Sequence, residues 1–219
     1  TSTQNSTIAL VSVAANAVIS VARTQTTITQ TYTNDEDCPI EAVYTFPLPV
    51  DAVLLDMTVR LGERTLVGQI VPKADAERDY EEAIDEGKRA IMLEMLEAGL
   101  YTMNVGNLQP GEQCEIEYRY ALLNRWNGST LRFSLPSTIA PRYGDPSAQG
   151  LQNHQVPTYS DDAGYTLDLM ARLDESLTGA VVTSPSHPIA LDKDAGTTTV
   201  RMAPGTAAMD RDFVLNIEK

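Results

Sequence analysis

The sequence predicts a mainly β fold of the α+β kind: an antiparallel β-sandwich with one inserted α-helix at about residues 74–87, followed by a smaller β unit. Three observations predict it. In Cys114, Ile116, Tyr118, Tyr120 and Leu122, apolar side chains alternate with Gln113, Glu115, Glu117 and Arg119, as in a strand with one face buried. From Ala74 to Glu86 the period lengthens to that of a helix. Between Pro141 and Asp162 the text turns to Gly, Pro, Ser, Gln and Asn, which marks a loop or linker. The expected division is therefore a sandwich domain over 1–145, a linker over 146–163 and a small β unit over 164–219.

Taken in order, Thr24 to Tyr32 is rich in Thr and β-branched residues, and Ile40 to Phe46 continues that strand chemistry until Pro47 and Pro49 stop it. Leu55, Met57, Val59 and Leu61 alternate, Gly62 and Glu63 suit a turn, and Leu66 to Val71 returns as the second arm of a hairpin. In the helix, Ala76, Tyr80, Ala83 and Ile84 form one stripe, with Glu77, Arg78, Glu81, Glu82 and Asp85 outside it. Gly87 suits a left-handed C-terminal cap, and Lys88 and Arg89 lie near the negative end of the helix dipole. Periodicity leaves Ala90 to Leu96 open between a helical turn and a buried strand. Gln109-Pro-Gly-Glu112 suits a type II turn that launches the Cys114 strand, and Leu131, Phe133 and Leu135 make a further strand. Tyr165 to Leu173, Ala180 to Thr183, Thr198 to Met202 and Phe213 to Ile217 are short alternating runs between turn residues.

Composition bounds the function. Over 219 residues, 42% are hydrophobic and 21% charged, so the chain can bury a core. A formal net charge of −14 with only 16 scattered Lys and Arg argues against nucleic-acid binding and against anionic membranes. The longest largely apolar stretch, Ile8 to Ala22, is too short to span a bilayer and is broken by Ser12, Asn16 and Ser20, so no direct membrane insertion is expected. Thr1 to Thr7 lacks the charge and apolar run of a signal peptide. Cys38 and Cys114 are compatible with one disulfide or with two free thiols, and alternation puts Cys114 on the core face.

No constellation for chemistry assembles, so no catalytic, cofactor-binding or metal residue is expected, and no enzyme. The two imidazoles, His154 and His187, read as exposed loop histidines. A Gly-x-Ser-x-Gly elbow and a Gly-rich phosphate cradle are both missing, and the Cys and His residues lack the paired spacing of zinc sites. Asp192, Asp194 and Gly196 resemble the opening of a calcium loop, but its twelfth position is Ala203 and the glycine comes one place early. The paired acids Glu81 and Glu82, and Asp161 and Asp162, read as solvated.

Several separated motifs carry a family resemblance. Glu41-Ala-Val-Tyr-Thr-Phe-Pro-Leu-Pro49, Ala76-x3-Tyr80-x2-Ala83-x3-Gly87, Asn104-Val-Gly-Asn-Leu-Gln-Pro-Gly-Glu112, Glu117-Tyr-Arg-Tyr120, Leu135-Pro136 and Ala140-Pro-Arg-Tyr143 stand in one order over residues 8 to 145. That order resembles the VIT domain, named for vault and inter-α-trypsin inhibitor proteins. The resemblance implies a fold rather than a reaction. It also implies a following von Willebrand factor A domain, whose metal site begins Asp-x-Ser-x-Ser; the nearest strings here, Asp174-Glu-Ser176 and Asp145-Pro-Ser147, do not complete it. The expected function is thus a non-catalytic protein-protein interaction or scaffolding module of a larger adhesion-type protein, with that downstream domain among its partners and an extracellular, periplasmic or cell-surface setting. The alternative is a calcium- or carbohydrate-binding β module. Arg142 and Tyr143 have the composition of binding anchors, but a folding role explains them better.

Overall fold

The computed structural model describes residues 10–69, 71–88, 90–136, 166–194, 196–203 and 211–219. Among them the chain forms fifteen strands and one α-helix. In order these are β1 (Leu10–Ile19), β2 (Arg23–Thr33), β3 (Ile40–Pro47), β4 (Val53–Leu61), β5 (Arg64–Val67), α1 (Lys73–Asp85), β6 (Ala90–Glu97), β7 (Leu100–Leu108) and β8 (Gln113–Leu123). β9 (Trp126–Asn127), β10 (Thr130–Leu135), β11 (Thr166–Leu173), β12 (Val181–Thr183), β13 (Ile189–Asp194), β14 (Thr197–Met202) and β15 (Phe213–Glu218) follow.

The strands make three sheets. The largest has eight strands in the order β13-β14-β11-β1-β2-β8-β4-β5; the others are β12-β15-β10-β9 and β3-β7-β6. Alternation decides which face of the large sheet is inside: Ile28 and Tyr32 of β2, Cys114, Ile116, Tyr118 and Tyr120 of β8, and Leu169, Ala171 and Leu173 of β11 are buried, while the residues between them point out. The three-stranded sheet packs on this inner face, where Phe46 of β3 stacks against Tyr118 with ring centroids 4.9 Å apart. Leu131, Phe133, Leu215 and Ile217 of the four-stranded sheet join the same buried cluster.

The helix starts at Lys73, one residue before the expected 74. Its C-terminus is a Schellman motif: the Gly87 N–H donates to the Ile84 carbonyl at 2.9 Å and Lys88 N–H to the Ala83 carbonyl at 2.8 Å, with Gly87 at φ 69°. The stripe Ala76, Tyr80, Ala83 and Ile84 is half-buried rather than core, and no helix residue is fully buried. Gly106 of β7 explains the close seating: a Cβ there would stand 2.1 Å from Ile84 Cδ1 and 2.9 Å from the Tyr80 hydroxyl. Tyr80 also donates to Glu41 Oε1 at 2.8 Å, and Lys73 pairs with Glu94 on β6.

Residues 90–96, left open by periodicity, form strand β6. The β4–β5 hairpin turns at Gly62 and Glu63 as expected, with Leu61 paired to Arg64, but its second arm is Arg64–Val67 rather than Leu66 to Val71. An irregularity between Leu54 and Asp56 breaks the expected alternation, however: Leu54 is half-buried and Leu55 exposed. The type II turn is present, with Glu112 N–H donating to the Gln109 carbonyl at 3.0 Å and Gly111 at φ 69°.

One pairing departs from antiparallel order. β11 lies parallel to β1, in register from Ser12↔Thr166 to Ile19↔Leu173. β15 pairs antiparallel with β10 from Thr130↔Glu218 to Leu135↔Phe213. Both sheets thus run across the sequence break at 146–163, which itself lies outside the described residues, as do Pro141 to Asp162 as a whole.

Candidate docking surface

Three of the residues weighed from sequence for chemistry, His154, Asp161 and Asp162, lie outside the described residues, as do Arg142, Tyr143 and Asp145. The structure corrects the reading of His187 as an exposed loop residue. It is 8% exposed, its ring lies 5.7 Å from that of Phe213, and its Nδ1 is 2.9 Å from Ser186 Oγ. Ser186 Oγ in turn accepts the Val214 N–H at 2.8 Å, so the Ser-His pair fastens β15 to the loop before β13. Asp192 and Asp194 stand exposed on β13, Asp194 paired with Thr197 across a hairpin, and Gly196 at φ 89° makes its turn. Asp174 and Ser176 are engaged in a helical turn, where Asp174 Oδ1 accepts the Ser176 N–H at 2.9 Å. Glu81 and Glu82 are exposed on α1.

Both thiols are free, Cys38 exposed and Cys114 buried. Burial, and then the carboxylates of Glu112 and Glu115, push the Cys114 thiol up to about 12. Titration of the native protein with a thiol reagent at pH 8 is expected to modify one cysteine rapidly, and the denatured protein two. Two rapid thiols in the native state would contradict the core position of Cys114.

What remains open is the outer face of the eight-stranded sheet. Register sets its rows across the strands. Val18 of β1 lies beside Gln25 of β2, Gln25 beside Ala121 of β8, and Ala121 beside Val53 of β4. In the next row Asn16, Thr27, Arg119 and Asp56 follow one another, and beyond them Ala14, Thr29, Glu117 and Thr58. Along β1 and β2 the face is consequently short-chained and uncharged, with Ala14, Asn16, Gln25, Thr27 and Thr29, and the charges stand on the strands to either side. Along β4 and β8, Arg119 holds Asp56, Nε to Oδ1 at 2.8 Å, and Arg60 pairs with Glu115. The Arg119 hydrogen bond lowers the Asp56 carboxyl from its ordinary range.

Charge on this face differs from that of the molecule. Its described arginines are Arg23, Arg60, Arg119, Arg172 and Arg201; its described acids are Asp56, Glu115, Glu117, Asp168, Asp192 and Asp194. Five against six leaves it close to neutral on a chain of net charge −14.

One corner of the face is apolar. Leu123 is 82% exposed and Val53 62%, with Leu55, Val18 and Val21 also exposed. Hydrogen bonds fix the backbone under it. Asn124 Nδ2 donates to the Ser20 carbonyl at 2.7 Å, Trp126 Nε1 to the Val21 carbonyl at 2.8 Å, and the Val21 N–H to Ser176 Oγ at 2.9 Å. Arg125 pairs with Asp51 at 3.0 Å on the rim. Lys219 closes the corner, its N–H donating to the Ser129 carbonyl at 3.0 Å and its Nζ to the Ser176 carbonyl at 2.6 Å. Sequence reading missed this corner, although a signal exists: in an alternating strand one residue of an apolar doublet must face outward, and Leu54-Leu55 and Leu122-Leu123 are such doublets.

Comparison with known proteins places these features among relatives. The family profile of the vault protein inter-alpha-trypsin domain, VIT, matches residues 10–120. Human von Willebrand factor A domain-containing protein 5A is 30% identical over 200 residues, 86% of this chain but 25% of that protein. The mouse protein of the same name is 33% identical over 151 residues, 66% of this chain and 19% of the relative. Human protein mono-ADP-ribosyltransferase PARP4 is 33% identical over 117 residues, 53% of this chain and 7% of that one. The chain therefore spans a quarter or less of these relatives. A solved Legionella pneumophila protein assigned to nutrient binding superposes with a TM-score of 0.52 at 9% identity, covering 97% of this chain and 67% of its own, a likeness of fold alone.

Proposed function

This chain belongs to the VIT domain family, and from that premise we propose that it is a non-catalytic protein-protein interaction and scaffolding module within a larger protein that also contains a von Willebrand factor A domain. The observation that carries the reading is the outer face of the eight-stranded sheet, near neutral on a strongly acidic chain. Such a face admits a protein partner where the rest of the surface would repel an acidic one. Its area also suits the role: eight strands at about 4.8 Å and four to five outward rows at about 6.6 Å span roughly 1,000–1,300 Å², enough for the ~800 Å² that each partner contributes to a standard interface. Relatives named for a von Willebrand factor A domain supply the larger setting. The calcium-binding alternative gains no support from the described residues, which hold no group of three metal-ligating side chains.

Hydroxyl-radical footprinting of the natural full-length polypeptide, compared with the 219-residue chain, tests this. Met170, in the middle rows of the face, is expected to lose reactivity in the longer protein, while Met95 on β6 keeps it. Equal reactivity of Met170 in both would overturn the reading.

A further inference from the structure

We propose that Asn127, at the tip of the β9–β10 hairpin, is a site of self-modification by deamidation, its carboxamide giving way to a carboxylate with the uptake of one water. The inference goes beyond the interaction-module reading and does not depend on it.

The local sequence is Trp126-Asn127-Gly128-Ser129-Thr130, and Asn127 is the one asparagine of the chain that precedes a glycine. Asn127 pairs with Thr130 and Trp126 with Leu131, so Gly128 and Ser129 form a two-residue loop. Gly128 stands at φ 60°, as the first central residue of a type II′ turn requires. Asn127, Gly128 and Ser129 are all exposed, and a Cβ on Gly128 would meet nothing within 4 Å. The Gly128 nitrogen is therefore open to the side chain before it, with no side chain of its own in the way. Neither that N–H nor the Asn127 carboxamide has a hydrogen bond among the described residues.

Other asparagines differ on both counts. Asn34 Nδ2 donates to the Leu108 carbonyl, Asn107 Nδ2 to the Lys88 carbonyl and Asn124 Nδ2 to the Ser20 carbonyl. Each is followed by a residue whose side chain crowds the attacking nitrogen, Asp35, Leu108 and Arg125 respectively.

The reaction needs only water. The Gly128 nitrogen loses its proton to hydroxide and attacks Cγ of Asn127; the new N–C bond closes a succinimide ring, and the side-chain nitrogen leaves as ammonia. Water then opens the ring at either carbonyl, giving aspartate in the ordinary chain or isoaspartate, in which the chain runs through the side-chain carboxyl. No electron changes hands: asparagine and water become aspartate or isoaspartate and ammonia. Ring closure turns Asn127 out of its extended conformation, so its pairing with Thr130 must open first. β9 is two residues long and lies at the edge of the sheet β12-β15-β10-β9, where such opening costs little.

The product acts on its surroundings. Isoaspartate adds one backbone atom to a strand with only two residues to pair, which spoils its register. It also sets a carboxylate in the row that runs from Asn127 through Thr130 to Glu218. Trp126 Nε1 is bonded to the Val21 carbonyl at 2.8 Å, and the Lys219 N–H to the Ser129 carbonyl at 3.0 Å. The modified hairpin thus loosens its hold on the β1–β2 turn and on the end of β15.

The test is incubation of the chain at pH 8, followed by peptide mapping and by methyl transfer from S-adenosylmethionine with an isoaspartyl methyltransferase. Isoaspartate and aspartate are expected at position 127 alone among the asparagines. The rate should rise with pH, because the attacking nitrogen must lose a proton. It should stay within about thirtyfold of the rate in the urea-unfolded chain, the equivalent of an opening cost of ~2 kcal/mol. Native isoelectric focusing should show one added negative charge, and the emission of Trp126, the single tryptophan, should shift as the modified fraction grows. Asn127→Gln exchanges an exposed side chain and should keep the starting near-ultraviolet circular dichroism while abolishing all of these changes. A native chain that stays unmodified at position 127, or that is slower than that thirtyfold limit, would overturn the proposal. So would equal modification of another asparagine, or the same charge shift in Asn127→Gln. Modification at position 127 with unchanged Trp126 emission would uphold the site and overturn the loosening.

Discussion

Cutting the chain after residue 145 is expected to leave a polypeptide without a cooperative unfolding transition. The cut removes β11 from β1, with its eight paired residues from Ser12↔Thr166 to Ile19↔Leu173, and β15 from β10. It opens two long strand edges and uncovers the inner face on which Leu169, Leu173, Phe213, Leu215 and Ile217 are buried. Each large side chain contributes about 1.5–3 kcal/mol by burial, so five of them match or exceed a net stability that for most domains is only ~5–15 kcal/mol. Urea titration followed by Trp126 fluorescence and near-ultraviolet circular dichroism checks the expectation: a broad, sloping change with low m is predicted. A sharp transition with an m-value near that of the whole chain would instead show that residues 1–145 stand alone.

Replacing Asn34 by Ala is expected to cost about 3 kcal/mol, because one buried amide closes three backbone groups at once. Asn34 is fully buried; its Nδ2 donates to the Cys38 carbonyl at 2.9 Å and to the Leu108 carbonyl at 2.8 Å, while Oδ1 accepts the Glu36 N–H at 2.8 Å. Its own backbone adds two bonds, to the Glu112 carbonyl and from the Gly111 N–H. The residue thus ties the acidic loop after β2 to the ends of β7 and β8. Alanine takes one donor from the Leu108 carbonyl, and frees the loop carrying Cys38. A fall of roughly 6–12 °C in Tm follows from that cost for a chain of this size. A shift under ~2 °C would show that water replaces the amide at no cost.

Legibility in the sequence followed burial geometry. β8 was readable because one face meets the core and the other meets solvent, which writes a period of two into the text. α1 and its Gly87 terminus were readable because capping chemistry is local. β7 was not readable as a strand: from Leu100 to Gly106 every residue is buried, with the large sheet on one side and α1 on the other, so no alternation remains. β1 hid its inward set, Val13, Ala15, Ala17 and Ile19, behind two alanines and an apolar Val18 on the outer side. The parallel β1–β11 pairing depends on residues far apart in the chain, and no local pattern encodes it. His187 looked exposed because its neighbours are Ser186 and Pro188, yet those turn residues bring the ring against Phe213. The docking corner left only its two leucine doublets as a trace.

The parallel seam between β1 and β11 also fixes a timetable for biosynthesis. Val21 and Ser176, which meet across it, are 155 residues apart. At the ~5–20 residues per second of synthesis, the first strand leaves the ribosome roughly ten to thirty seconds before its partner exists. Over that interval β1 presents an unpaired edge, the kind of surface that recruits stray strands. The nascent protein therefore has its greatest need of chaperone cover early, and that need passes from β1 to β11 when β11 emerges, until β14 pairs with it in turn.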